Sequence, residues 1–207
     1  MRPKLKICGL TSTEQAVEIA LMGVDALGFI LYPGSPRYIE PKKLKALIQS
    51  LPTLVKTVGV FVNCPKEEVL EICRYTGLDL AQLHGSESPS DCRWLSRMGQ
   101  PWLKALRVGC AGDLLEMDRY ETGCFLLDAK STKAQGGTGE TFDWSLAKQA
   151  ARRAQVILAG GLEIGNLQDA VQQVRPYGLD LSSSVEVSPG VKDLVKVKAL
   201  VKLWRTL

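Results

Sequence analysis

Short apolar runs, each followed by a helix-period pattern, alternate from one end of the chain to the other. The runs lie at residues 5–8, 25–30, 58–62, 79–83, 102–106, 124–127, 156–159 and 179–181. The segments between them carry apolar residues at i, i+3, i+4 and i+7 spacing, as in Leu44/Leu47/Ile48/Leu51 and Leu167/Ala170/Val171/Val174. Other inner stripes are read as Val17/Leu21, Val69/Ile72/Cys73, Cys92/Leu95/Met98 and Leu194/Val197/Val201/Trp204. Ser12 with Gln15 reads as a capping box at the first helix, Pro65 opens the third, and the last is expected from about residue 191. Eight strand–helix units in 207 residues average about 26 residues each, near the compact limit of a (β/α)₈ barrel. An open doubly wound sheet is the competing arrangement, but eight regular units without spare elements favour closure. No linker or composition break divides the chain, so residues 1–207 are read as one α/β domain, a (β/α)₈ TIM barrel.

The side-chain inventory narrows the chemistry. Apolar residues make up 45% and charged residues 23%, a globular rather than disordered balance. The net charge of +4 comes from scattered basic residues without interleaved aromatics, so a nucleic-acid partner is not expected. No apolar run is long enough for a membrane span, and the start Met1-Arg2-Pro3-Lys4 enters a strand without a targeting pattern. Six cysteines lie far apart and the only histidine is His84, which argues against a zinc site and for reduced thiols in a cytoplasmic enzyme.

In such a barrel the active site forms at the C-terminal ends of the strands. Three sets of residues fall there. Gly160-Gly161 after the seventh strand and Ser182-Ser183-Ser184 after the eighth can present backbone N–H groups to a phosphate dianion. Cys8 and Asp128 end the first and sixth strands and face each other across the mouth. A thiolate that removes a proton and a carboxylic acid that donates one are the pair an isomerase needs to move a proton between carbon and oxygen. Each residue also has a plain structural reading, Cys8 as a small buried hydrophobe and Asp128 as a helix cap. Arg37, on the stiff Ser35-Pro36 loop, has the planar fork for a substrate carboxylate, although an exposed arginine needs no role. His84 is read as a structural or substrate-lining residue. Gly136-Gly137-Thr138-Gly139-Glu140-Thr141 has Glu140 where a phosphate loop carries lysine, so residues 129–141 are read as a lid or loop.

The chain closely resembles the phosphoribosylanthranilate isomerases of tryptophan biosynthesis. The likeness runs through Lys6-Ile7-Cys8-Gly9-Leu10-Thr11, Ser35-Pro36-Arg37-Tyr38, Val58-Gly59-Val60-Phe61-Val62-Asn63 and Gln82-Leu83-His84-Gly85. It continues through Leu126-Leu127-Asp128, Gly136-Gly137-Thr138-Gly139, Leu158-Ala159-Gly160-Gly161-Leu162 and Val185-Glu186-Val187-Ser188-Pro189-Gly190. The resemblance implies an Amadori rearrangement of N-(5-phosphoribosyl)anthranilate without metal or organic cofactor. It implies Asp128 as general acid, Cys8 as general base and Arg37 on the anthranilate carboxylate. Gly160, Gly161, Asp180 and the serine run would form the phosphate end. Two features depart from the family pattern: Ser184 stands where glycine is usual, and Glu163-Ile164-Gly165-Asn166 lacks a frequent proline. The chain is expected to act as a monomer or homodimer. The alternatives are another phosphosugar barrel enzyme (an epimerase or an indole-glycerol-phosphate synthase type) and a non-catalytic barrel that binds a phosphorylated metabolite.

Strand alternation adds one expectation. Lys6 shares the inward face with Cys8, about 7 Å away by strand rise. A buried ammonium there would enrich the thiolate and would itself need an acidic partner, for which Asp180 is placed.

Overall fold

The computed structural model describes residues 2–129 and 143–207; the loop expectation for residues 129–141 lies almost wholly outside them. The eight strands are β1 Lys4–Cys8, β2 Ala26–Ile30, β3 Lys56–Phe61, β4 Leu80–Leu83, β5 Trp102–Val108, β6 Cys124–Ala129, β7 Gln155–Ala159 and β8 Gly178–Leu181. They pair in sequence order, all parallel, and β8 returns to β1 with Lys6 opposite Asp180, which closes the barrel. The helices are α1 Thr13–Leu21, α2 Pro41–Ile48, α3 Lys66–Thr76, α4 Pro89–Arg97, α5 Trp144–Ala151, α6 Leu167–Val174 and α7 Leu194–Trp204. A 3₁₀ segment, Ala111–Arg119, takes the place of a helix after β5.

Local chemistry explains the starts of these helices. Ser12, Ser88, Asp143 and Asp193 accept first-turn N–H bonds, and Pro41 and Pro89 sit in first turns, where no N–H is needed. The expected capping box at α1 is only half present. Ser12 Oγ accepts from Gln15 N at 3.3 Å, but the Gln15 amide is drawn away to both backbone groups of Lys192. The inner face of α1 is also corrected, to Ala16, Ile19 and Ala20, with Leu21 72% exposed. Met98 is exposed as well, because α4 ends at Arg97. α7 starts at Leu194 rather than near residue 191. Residues Val191–Lys192 form β10, which pairs antiparallel with β9 (Glu186–Ser188) in the segment between β8 and α7.

Alternation along the strands divides the core in two. Leu5, Ile7, Phe125, Leu127, Val156 and Leu158 face the helices and are buried in the main apolar cluster. Leu103, Ala105, Leu126 and Ala159 pack inside the barrel, with Leu80 and Ile157 against them. Higher along the same inward positions come polar residues: Lys6, Gln82 and Asp180, then Cys8, His84 and Asp128 at the rim. Among the described residues no helix is long and apolar enough to cross a membrane.

Candidate active site

A cavity of about 490 Å³ opens at the C-terminal mouth, and all ten residues singled out from the sequence line it. They are Cys8, Arg37, His84, Asp128, Gly160, Gly161, Asp180, Ser182, Ser183 and Ser184. A slightly larger cavity, about 540 Å³, lies at the opposite end of the barrel among Leu80, Leu103 and Ile157. Its walls contain no thiol, imidazole or Gly-Gly loop, whereas the acid, base and phosphate-type residues converge on the first cavity.

At the base of that cavity Lys6 Nζ donates to Asp180 Oδ2 at 2.9 Å, with both side chains less than a tenth exposed. Burial works against the Lys6 ammonium, but Asp180 and then Cys8 outweigh it and hold its pKa above the ordinary lysine value. For Cys8 the balance goes the other way. Burial pushes its thiol pKa up, and the pull of Lys6 recovers only part of the shift. The expected partner Asp180 is therefore in place and Lys6 pulls the thiol toward thiolate as expected, but burial is the larger effect. Gly28 on β2 makes the arrangement possible. A Cβ there would stand 2.6 Å from Cys8 Sγ and 3.0 Å from Lys6 Nζ.

Asp128, on β6, is partly exposed to the cavity, and its Oδ2 lies 3.3 Å from His84 Nε2. The other imidazole nitrogen, Nδ1, is 3.0 Å from Gln82 Nε2. With the Gln82 amide donating, Nδ1 accepts, so Nε2 carries the hydrogen and donates to Asp128. The carboxyl group is thus held through one oxygen.

Arg37 reaches the cavity rim with part of its fork occupied. Its Nε donates to Glu186 Oε1 at 2.9 Å and Nη2 to Oε2 at 2.6 Å. Glu186 also accepts from Lys192 Nζ at 2.8 Å and Gly190 N at 3.2 Å, and Lys192 Nζ reaches Ser182 O at 3.1 Å. Burial opposes the Glu186 charge, yet Arg37 and Lys192 keep its pKa below the ordinary value. Burial lowers the Lys192 pKa despite Glu186. This chain of ions ties the arginine end of the cavity to the serine loop.

At the serine end Gly160 and Gly161 take positive φ, +74° and +67°, which keeps their loop close to the cavity. Ser182 Oγ is spent on Cys8 O at 3.1 Å, whereas Ser184 Oγ is buried and has no hydrogen-bond partner among the described residues. Ser184 is not in the left-handed region, so the backbone does not demand the glycine usual at this position. Asp180 does not stand among these loops as a donor. Its Oδ2 is held by Lys6 below Cys8, and its Oδ1 is buried without a described partner.

Four contributors escaped the sequence reading of the site: Gly28, Gln82, Glu186 and Lys192. Gln82 had a legible signal, since it shares its strand face with His84. Glu186 and Lys192 are brought together beside Arg37 by the antiparallel pairing of β9 and β10. Among the described residues no group of three or more His, Cys, Asp or Glu side chains is arranged to hold a metal ion.

Comparison with known proteins agrees with this geometry. The family model described as N-(5'phosphoribosyl)anthranilate (PRA) isomerase matches residues 5–203. An N-(5'-phosphoribosyl)anthranilate isomerase of Pelobacter propionicus is 42% identical over 200 residues, 97% of this chain and 94% of that one. The crystal structure of phosphoribosyl anthranilate isomerase from Thermotoga maritima superposes with a TM-score of 0.92 at 38% identity, covering 99% of this chain and 100% of that chain. A second solved isomerase, in complex with reduced 1-(o-carboxyphenylamino)-1-deoxyribulose 5-phosphate, gives 0.89 at 36% identity with the same coverage. Fold, cavity and likeness along nearly the whole length lead to one assignment: the chain belongs to the N-(5'-phosphoribosyl)anthranilate isomerase family.

Proposed function

We propose that the protein catalyses the Amadori rearrangement of N-(5-phosphoribosyl)anthranilate to 1-(2-carboxyphenylamino)-1-deoxyribulose 5-phosphate in tryptophan biosynthesis. The observation that carries this reading is the convergence of Cys8, Asp128 and the two phosphate-type loops on one cavity. A relative of this chain is known with the reduced product bound, which supports the same substrate class here.

Asp128 donates a proton to the ribose ring oxygen, the C1–O bond opens and the anilino nitrogen's lone pair forms a C1 iminium. Cys8, as thiolate, takes the C2 proton, and the electrons of that bond neutralise the iminium to give an enolamine. The Cys8 thiol returns its proton to C1 while the C2 hydroxyl gives its proton to the Asp128 carboxylate, which yields the ketone at C2 and restores both groups, so the sum is an isomerisation with no net redox change. The acid–base pair supplies every proton movement, and the reading is of an aldose–ketose isomerase that needs no cofactor.

The remaining residues bind. Gly160 and Gly161 with Ser182–Ser184 take the phosphate, with the unpartnered Ser184 hydroxyl as one donor. Arg37 turns Nη1 to the anthranilate carboxylate while Glu186 holds its other face. Asp180 offers its unpartnered Oδ1 to a ribose hydroxyl, and His84 lines the cavity beside Asp128. The protein acts on this small substrate in the cytoplasm, as a monomer or homodimer, without nucleic-acid or membrane partners.

The loss of anthranilate-adduct fluorescence on turnover tests the proposal. Cys8→Ser and Asp128→Asn are each expected to lower kcat by roughly 10²–10⁴-fold, the usual worth of a positioned acid or base. Unimpaired turnover by either variant overturns the mechanism, and no turnover by the unmodified protein favours the non-catalytic binding barrel.

A further inference from the structure

Outside the residues given a role above, one buried ion pair is built around the catalytic cavity's single histidine. We propose that Lys104 and Glu87 are positioning residues that hold His84, and through it aim the Asp128 carboxyl.

Lys104 is on β5 and Glu87 in the loop after β4, with side chains 2% and 5% exposed and Nζ 2.9 Å from Oε2. The same ammonium donates to Leu83 O at 2.9 Å and to Gly85 O at 2.7 Å, the carbonyls on either side of His84. Glu87 answers from the other side of the loop. It accepts from Gly85 N at 3.0 Å and from Asn63 N at 2.8 Å, and its own carbonyl takes the Tyr120 hydroxyl at 3.0 Å. The packing leaves no slack: a Cβ on Gly85 would collide with Asn63 and stand 2.7 Å from Glu87 Oε1.

Stability alone does not call for this arrangement. Well-packed apolar residues often match a buried ion pair in stability. What they cannot supply is directed bonds to the carbonyls on both sides of one residue. The clamp also has something to resist, because His84 lines a third cavity of about 480 Å³ as well as the first. Without the bonds at Leu83 and Gly85 the imidazole has room to leave Asp128. Held in place, it keeps Nε2 3.3 Å from Asp128 Oδ2 and Nδ1 against Gln82. One carboxyl oxygen is thereby engaged, and the acid's orientation toward the substrate is set.

The inference rests on the proposed role of Asp128 as acid, and two independent readouts separate the two. His84 is the only histidine in the chain, so its imidazole nitrogen resonances are unambiguous. The unmodified protein is expected to show a single Nε2–H tautomer, and Lys104→Met a mixture of both. Kinetically, Lys104→Met is expected to lower kcat about tenfold with KM little changed, the scale of a displaced catalytic group. In a His84→Asn background the same change is expected to alter kcat by less than about twofold, since the group it positions is gone. An unchanged imidazole spectrum, or an equal kcat loss in both backgrounds, refutes the proposal. If Lys104→Met does not fold, Glu87→Gln carries the same comparisons, because it removes the ammonium's charged partner and keeps one side-chain oxygen to accept from the loop amides. Full activity of Asp128→Asn would instead refute the acid assignment, leaving the spectral test of the clamp intact.

Discussion

Lys6 Nζ and Asp180 Oδ2 meet at 2.9 Å across the closing seam of the barrel, directly opposite one another in the β1–β8 register. Two charges removed from water at the floor of the cavity thus support the sulfur of Cys8, which the Lys6 charge pulls toward thiolate against the larger effect of burial.

Cys8 alkylation should expose that balance. Because burial raises the thiol pKa, the reaction is expected to be slow at pH 7 and to accelerate above the ordinary thiol value of about 8.5. Lys6→Met removes the charge favouring the thiolate and should push the midpoint higher still. It also leaves Asp180 buried and unpaired, which should destabilise the fold by about 3–5 kcal/mol in denaturant unfolding. An unchanged alkylation profile would show that Lys6 has no influence on the sulfur.

Gly28→Ala tests the space around the same sulfur. The new methyl would stand 2.6 Å from Cys8 Sγ, so the sulfur or β2 must move. A cost of about 1–3 kcal/mol is expected from overpacking, with kcat falling as the thiol leaves its place. Thermal unfolding and steady-state kinetics measure the two effects separately.

The Glu186 pKa is lowered on folding, so its contribution to stability is complete above the unfolded value, about 4.3. That contribution is lost as the pH falls through the lower folded value. Acid unfolding of the unmodified protein should therefore steepen below about pH 4.3, and Glu186→Gln should flatten that part of the curve while lowering stability at pH 7. Identical acid limbs would mean that the Arg37–Glu186–Lys192 chain contributes nothing in solution.

Arg37→Lys keeps the charge but loses the fork that now spans both oxygens of Glu186. A point-charge ammonium cannot face Glu186 and a substrate carboxylate at once with fixed geometry. KM should rise about tenfold or more with a smaller change in kcat, the pattern of lost ground-state and transition-state binding together. A change in kcat alone would place Arg37 in the chemistry rather than in binding.

Much of this architecture was legible before any coordinates. Strand count, order and closure follow from eight apolar runs separated by helix-period segments, because each parallel strand needs both faces covered and each crossover a helix. The ten residues singled out at the strand ends line one cavity, since a (β/α)₈ barrel places the residues after each strand at one mouth. Even the Lys6–Asp180 pair could be anticipated, because side-chain alternation along a strand has a strict period of two.

What the chain order could not reveal are relationships between residues far apart in sequence whose outcome depends on competing energies. Whether Cys8 favours thiol or thiolate depends on burial against the pull of Lys6, and only the packed interior gives burial the larger share. That Gln15 binds β10 instead of closing a capping box, and that Glu186 and Lys192 meet Arg37, depends on how the β9–β10 hairpin packs against α1 and the Arg37 loop. The clamp of Lys104 and Glu87 on His84 joins neighbouring β-strands through carbonyls, groups every residue carries, so no side-chain pattern announces it. Periodicity decides which face a residue occupies; tertiary packing decides what meets it there and how strongly water is excluded.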